Sequence, residues 1–201
     1  MPPGAGGLAL DCAGYAMVCL RAIEMGAGMN GLAPRLLVAG MALSGTGLVG
    51  IALYEGYTER AVIPVPGDVP TKGFGTTRNP DGSPVRLGDA TTPPRALVDL
   101  LREAHAEAAA LKRCLPGVAL HQHEFDAYAS LAYNVGAGAV CRSSIPAKLA
   151  AGDYAAACRT VLDFNGQCVA RDRAGKCLQK RVLPGLVKRR QAEYRQCMGG
   201  E

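Results

Sequence analysis

The sequence predicts an α+β domain in which a small strand-rich region precedes a larger helical region. Residues 61–87 are rich in Pro, Gly and other turn-forming residues, which predicts short strands or extended segments. From residue 92 onward, apolar residues recur at helical spacing between capping residues, which predicts a series of helices. The 201 residues suffice for one such domain with an N-terminal extension.

Start signals and apolar spacing predict five helices in the second half of the chain. Thr92 is followed by two prolines, which is typical of an N-cap and first turn, and an apolar face continues this helix to about Arg113. Asp153 is a further predicted N-cap. The predicted ranges are about 92–113, 122–133, 145–151, 153–164 and 184–197.

The longest uncharged stretch is Leu36–Tyr54, which lies between Arg35 and Glu55. Nineteen helical residues at about 1.5 Å each reach roughly the thickness of a hydrocarbon core. Nine of the nineteen are Gly, Ala, Ser or Thr, so the stretch can enter a membrane but need not stay there. The alternative is a glycine-rich helix buried in a protein core.

Met29 opens the segment MNGLAPR, a short positive region of the kind that begins an export signal. The predicted organisation is therefore an extension over 1–28 that precedes the functional start, a signal-anchor or transmembrane segment over 29–54, and a globular domain over 55–201.

Eight cysteines favour an oxidising compartment over a reducing one. Their intervals do not fit a zinc knuckle, so no metal is predicted. Cys168 and Cys177 flank a turn-forming Ala174–Gly175 and are predicted to form a disulfide. Three connectivities remain open for the other cysteines of the globular region, which are Cys114, Cys141, Cys158 and Cys197.

The net charge of +5 is concentrated near the C-terminus. Residues 169–197 contain nine Lys or Arg and two acidic residues. Such a basic region fits nucleic acid, anionic lipid or the acidic polymer of a bacterial wall, and charge alone does not choose among them.

Glu55 and Asp68 are the candidate catalytic carboxylates. Glu55 is expected to begin the first helix of the domain, and Asp68 lies with Thr71 on the turn-rich stretch that can fold back beside it. Glycoside hydrolysis needs two carboxyl groups across a cleft, one to donate a proton and one to hold a water or stabilise the cation. On this pairing alone, the alternative is a pair of solvated surface acids.

Four blocks, in order, resemble the phage-type lysozymes of glycoside hydrolase family 24. Glu55-Gly56 and TKGFG (71–75) resemble the active-site signature of that family. HEFDAYASLAYNVGAG (123–138) resembles its central buried helix and Asn-x-Gly turn, and SSIPAKLAAGDYAAAC (143–158) resembles the helix pair that follows. LPGLVKRRQAEYRQC (183–197) resembles the closing helix. The resemblance covers nearly all of residues 55–198.

The resemblance implies a lysozyme-like fold, a small β-hairpin lobe beside a larger helical lobe, with no cofactor and no metal. It makes Glu55 the general acid and Thr71 a residue that helps to hold the attacking water. The family places its second carboxylate nine residues after the Glu, where this chain has Pro64. Asp68 is the only acid between Glu59 and Thr71 and is the predicted second carboxylate, with Glu59 as the fallback.

The implied activity is hydrolysis of the β-1,4 bond between N-acetylmuramic acid and N-acetylglucosamine in peptidoglycan, which lyses the host cell. Leu36–Tyr54 resembles the signal-anchor-release segment of a subset of these endolysins. The expected partners are peptidoglycan and, through residues 36–54, the inner membrane; no nucleic acid is expected, and the protein is expected to be a monomer. The expected location is the periplasmic side of the inner membrane, then the periplasm after release.

Two other classes of function stay open on the residues alone. A Cys-His peptidase or amidase acting on wall peptides would use the cysteines and histidines. A non-catalytic wall-binding or membrane-disrupting protein would use the basic region.

Overall fold

The computed structural model describes residues 34–64, 67–174 and 177–200. The extension predicted over 1–28 and the start of the predicted export signal at Met29 lie outside the described residues.

The apolar stretch 36–54 folds as several short elements instead of the single helix predicted for it. It contains strand β1 (Leu36–Leu37), a 3₁₀ turn (Val38–Gly40) and most of helix α1 (Gly45–Glu55). Its apolar side chains Val38, Met41 and Ile51 are buried in the same core as those of the rest of the chain. Among the described residues, no helix has the length and apolarity needed to span a bilayer.

Helix α1 begins at a capped N-terminus and ends at a glycine. The Ser44 side chain accepts a hydrogen bond from the backbone N–H of Gly47, as an N-cap does. Gly56 has a φ of 68°, a left-handed conformation that ends the helix. The expectation that Glu55 begins the first helix is therefore wrong, because Glu55 is the last residue of α1 and Gly56 acts as a terminator.

The strand-rich region follows α1 and confirms the extended structure predicted there. Strand β2 (Thr58–Val62) pairs antiparallel with β3 (Thr71–Gly73), with Thr58 opposite Gly73 and Val62 opposite Thr71. Isolated bridges tie the turns that follow into this small sheet. A second small sheet joins β1 to β4 (Ala119–Leu120).

The helical region contains the five predicted helices within a few residues of their predicted bounds. They are α2 (Pro93–Arg113), α3 (Gln122–Val135), α5 (Ile145–Ala150), α6 (Tyr154–Thr160) and α7 (Pro184–Cys197). Two further features were not predicted: the short helix α4 (Ala137–Cys141) and an antiparallel hairpin of β5 (Gly166–Arg171) and β6 (Cys177–Val182). Every residue of β6 is exposed, so the sequence of this strand lacks the alternation of buried apolar and exposed polar residues that would predict it.

Helix α3 is the centre of the core. Its Phe125, Tyr128 and Leu131 are fully buried, and α1, α2, α4 and α7 pack around it. Three disulfides close the helical region. Cys168–Cys177 confirms the predicted local pair, and Cys114–Cys141 with Cys158–Cys197 selects one of the three connectivities left open.

Candidate active site

Glu55 lies on the wall of a cleft of about 540 Å³ between the strand-rich region and the helical region. The turns after β3 form one wall, and α2 and α3 form the other. The lining side chains with polar or charged groups are Glu55, Thr77, Arg78, Asn79, Arg102, Glu103, Glu107, Tyr133 and Asn134. Both the size and the polar lining suit an oligosaccharide better than a small apolar ligand.

One oxygen of Glu55 is held by an arginine from the other end of the chain. Arg189 Nη1 donates to Glu55 Oε1 at 2.7 Å, although the two residues are 134 positions apart. Arg189 is 6% exposed, and its guanidinium also lies 4.8 Å from the centre of the Tyr54 ring. A charge-assisted bond to so enclosed a partner fixes the orientation of the Glu55 carboxyl group.

The other oxygen of Glu55 lies beside a glycine of the TKGFG block. A Cβ atom built on Gly75 would lie 3.4 Å from Glu55 Oε2, and the φ of Gly75 is 83°. A side chain at this position would therefore be strained by the positive φ, and its Cβ would be in van der Waals contact with the carboxyl group. In the same block, a Cβ atom on Gly73 would lie 2.9 Å from Cβ of Ala96, so Gly73 lets β3 approach α2 closely.

Tyr133 and Glu103 form the wall opposite the turns. The Tyr133 hydroxyl lies 3.3 Å from the carbonyl oxygen of Phe74 and 3.4 Å from Glu103 Oε2. Burial raises the pKa of Tyr133 above its usual range, so its hydroxyl stays protonated and available as a donor. Burial also raises the pKa of Glu103. The sequence predicts neither residue as part of the cleft: Glu103 is one of many charged residues on α2, and Tyr133 lies on the central helix α3, where an aromatic residue is expected in the core.

A hydrogen-bonded network shapes the turns on the opposite wall. Lys72 Nζ donates to Asn79 Oδ1 at 2.8 Å, and Asn79 Nδ2 donates to Ser83 Oγ at 3.1 Å. The backbone N–H of Arg86 donates to Asp89, and this bond lowers the pKa of Asp89. Through its bonds to Lys72 and Ser83, Asn79 holds one edge of the cleft in place.

The other two predicted site residues lie apart from the lining of this cleft as the described residues form it. Asp68 is exposed, and its Oδ1 accepts from the backbone N–H of Val69 at 2.9 Å. Thr71 opens β3 opposite Val62 and is half-buried. Glu59, the fallback carboxylate, is exposed on β2. The structure therefore places Glu55 in the cleft and brings neither Asp68 nor Thr71 to its wall.

Behind Glu55 lies a buried cluster of charged and polar groups on α3 and α7. Glu193 Oε1 accepts from Arg189 Nε at 3.1 Å and from Ser130 Oγ at 2.7 Å. Arg190 forms an ion pair with Glu193 Oε2 at 2.9 Å and donates to Asn134 Oδ1 at 2.5 Å. Burial lowers the pKa of Arg190 from its ordinary value. Sequence patterning indicates a helix here, whereas only the fold shows that its charged residues face inward.

Comparison with known proteins agrees with this architecture. Residues 52–193 match the family described as Phage lysozyme. The chain is 36% identical over 153 residues to an endolysin of Acyrthosiphon pisum secondary endosymbiont phage 1, and the match covers 76% of this chain and 95% of that protein.

Solved structures show the same fold. An endolysin from Escherichia coli O157:H7 phage FAHEc1 superposes with a TM-score of 0.69 at 30% identity, over 79% of this chain and 94% of that one. A point mutant of P22 lysozyme superposes with a TM-score of 0.61 at 25% identity, over 79% and 99% of the two chains. The fold is therefore lysozyme-like α+β, as predicted.

Proposed function

The chain belongs to the phage lysozyme family, and from this premise we propose that Glu55 is the general acid that cleaves its substrate. The protein is an endolysin of the lysozyme type, a glycoside hydrolase that acts on bacterial peptidoglycan. The bond that we propose is the β-1,4 link between N-acetylmuramic acid and N-acetylglucosamine, cleaved by the monomeric protein.

The observation that carries this proposal is the position of Glu55. Its carboxyl group lies on the cleft wall with Oε1 held by Arg189 and with Oε2 beside Gly75. A general acid needs a fixed carboxyl group within reach of the leaving-group oxygen, and a cleft between two lobes can hold a glycan chain across it.

Asp68 and Thr71 are proposed to hold the attacking water. Support comes from the segment that carries them: it leads into β3, which pairs with the strand that leaves Glu55 and Gly56. An exposed Asp68 is accessible to water and substrate. A water-holding carboxylate implies inversion of configuration, for which the two carboxyl groups would stand about 6.5–9.5 Å apart.

The test is a set of isosteric substitutions assayed on purified peptidoglycan. Glu55→Gln should reduce kcat by about a hundredfold or more, because general acid catalysis contributes about 10²–10⁴. Asp68→Asn and Thr71→Ala should each lower kcat, whereas the matched control Glu59→Gln on β2 should not. Wild-type rates for Glu55→Gln would refute the proposal. Mass spectrometry should find reducing-end N-acetylmuramic acid without anhydro products, which distinguishes hydrolysis from transglycosylation.

We further propose that residues 36–54 act as a reversible signal anchor before they join the domain. The burial of this segment supports a choice between two locations, because Val38, Met41 and Ile51 cannot lie in a bilayer and in the protein core at the same time. In a tethered chain, α1 would be missing from the core of the domain, and Glu55 would not be held in the cleft. Before release the enzyme would be inactive at the inner membrane, and afterwards active in the periplasm.

Membrane retention can be tested at Gly50, where a Cβ atom would meet nothing within 4 Å. Gly50→Leu should slow release from the membrane fraction because it adds apolar area to the segment. Gly50→Ser is the matched control for a side chain at this site. Identical amounts of the two variants in the membrane fraction at early times after synthesis would contradict the anchor.

The two alternative classes of function receive no support. All six cysteines from Cys114 to Cys197 are in disulfides, so that part of the chain has no thiol to act as a nucleophile. A non-catalytic wall-binding protein would be unaffected by Glu55→Gln, which the same assay decides.

A further inference from the structure

The buried cluster behind Glu55 combines two guanidinium groups, those of Arg189 and Arg190, with one carboxyl group, that of Glu193. Glu193 and Arg190 are at most 1% exposed, and Arg189 is 6% exposed. Glu193 lies between the arginines, with Oε1 on Arg189 and Oε2 on Arg190. Glu55 contacts only one member of the cluster, Arg189.

The charge of this cluster affects how well Glu55 can act as a proton donor. A general acid must carry its proton until the leaving group takes it, and a nearby unbalanced cation favours the ionised form instead. Arg189 alone would oppose acid catalysis by Glu55. Glu193 counters part of that effect because it places a negative charge on the same guanidinium whether or not Glu55 is protonated, in an enclosed site where charges interact strongly.

Hydrogen bonds with α3 also hold the cluster in place. Ser130 Oγ donates to Glu193 Oε1 at 2.7 Å, and Arg189 Nη2 lies 3.5 Å from the Ser130 carbonyl oxygen. One residue of α3 therefore positions both partners on α7. Arg189 reaches Glu55 through Nη1 while its Nε is held by Glu193, which leaves the guanidinium little freedom to rotate.

We propose that Glu193 is a positioning residue that orients Arg189 and offsets part of its charge, so that Glu55 can act as the proton donor in the cleft. This inference rests on the proposed role of Glu55. The other charged or titratable groups that share the cleft or the cluster with Glu55 are Tyr54 on α1, Arg78 on the turns after β3, Arg102, Glu103 and Glu107 on α2, Tyr133 on α3 and Arg190 on α7. Glu193 is ion-paired with both arginines of the cluster.

The test compares pH profiles of kcat/KM on soluble glycan oligomers for the full chain and its variants. Glu193→Gln keeps the shape and removes the charge, so the high-pH limb should move to lower pH by about one unit, with a roughly tenfold loss of rate beyond it. The matched control is Glu124→Gln, which alters another buried glutamate paired with an arginine, here the exposed Arg35. It should lower stability without moving the limb.

A second variant covers the case in which Glu193→Gln does not fold. Ser130→Ala removes the hydroxyl donor and keeps every charge, so kcat should fall about threefold with KM and the high-pH limb unchanged. Rescue of kcat by Ser130→Thr, which restores a hydroxyl, would support positioning.

Three results would overturn the inference: an unmoved limb in folded Glu193→Gln, the same movement in Glu124→Gln, or an unchanged kcat in Ser130→Ala. Glu55→Gln is assayed alongside. If it keeps its activity, the proposed acid itself is wrong; if it is inactive, any of the three results removes only the role of Glu193.

Discussion

Asp126 holds the start of α1 against α3, and its removal should be among the most costly changes in the chain. The residue is 2% exposed and its carboxylate accepts three hydrogen bonds. The donors are the backbone N–H of Ser44 at 3.0 Å, Ser44 Oγ at 2.6 Å and Gln122 Nε2 at 2.9 Å. Two of these bonds fix the N-cap residue of the helix that carries Glu55.

Asp126→Ala would leave the Ser44 backbone N–H without its partner and would open space beside Gly47, whereas the Ser44 hydroxyl would keep its contact with Thr46 Oγ1 at 2.8 Å. A hydrogen bond to a charged group contributes about 1.5–3 kcal/mol, and a buried donor left unpaired costs about 1–3 kcal/mol. Since these values overlap, we expect a total loss of about 3–5 kcal/mol. For a domain of this size that corresponds to a fall in Tm of about 10 °C.

Urea denaturation followed by circular dichroism measures the loss, with the disulfides kept oxidised. The matched control is Asp153→Ala, because Asp153 also caps a helix, with one bond of 3.1 Å to the backbone N–H of Ala156, but is exposed. That change should cost about 1 kcal/mol. If Asp126→Ala costs no more than Asp153→Ala, the reasoning that a buried, multiply bonded carboxylate anchors α1 is wrong.

Three further changes test the cleft and the disulfides. Gly75→Ala should lower the unfolding free energy by about 1 kcal/mol, since its φ is 83°, as an unfolding assay would show. It should also reduce kcat in an activity assay, because relief of that strain would shift the turn that contacts Glu55. Glu103→Gln should raise the unfolding free energy at neutral pH. Burial raises the pKa of Glu103 in the folded state, so its ionised form destabilises the fold at any pH above the pKa of the unfolded chain. The gain from Glu103→Gln should therefore vanish in acid. Replacing both cysteines by serine should cost about 1 kcal/mol more at Cys158–Cys197 than at Cys168–Cys177, since the sequence separations are 39 and 9. Equal unfolding free energies for those two double variants would contradict the chain-entropy argument.

Local sequence signals were enough to predict most helices of the helical region. The prolines after Thr92 and the carboxylate of Asp153 start helices where the sequence predicts them. They act through neighbouring backbone groups, so no distant residue is needed to interpret them. The disulfide Cys168–Cys177 was predictable for the same reason, because its two cysteines flank one turn.

Residues 36–54 show that local sequence signals do not decide every segment. Removal from water favours a bilayer and a protein core alike, so composition cannot separate the two environments. The fold supplied what separates them within the described residues: the Ser44 cap, the contact with Asp126 and the burial of Ile51. Glu55 lies at the end of α1 instead of its start because the helix begins after the Ser44 cap and ends at Gly56.

The sequence by itself determined the fold class, the family resemblance and the identity of the proposed acid, because those depend on residue types in a given order. Only the tertiary structure decided that Arg189, 134 positions away, holds Glu55, and that Glu193 lies between two arginines. It also put Glu103 and Tyr133 on the cleft wall and left Asp68 exposed. Such pairings depend on how α1, α2, α3 and α7 pack against one another, and that packing is a property of the whole core.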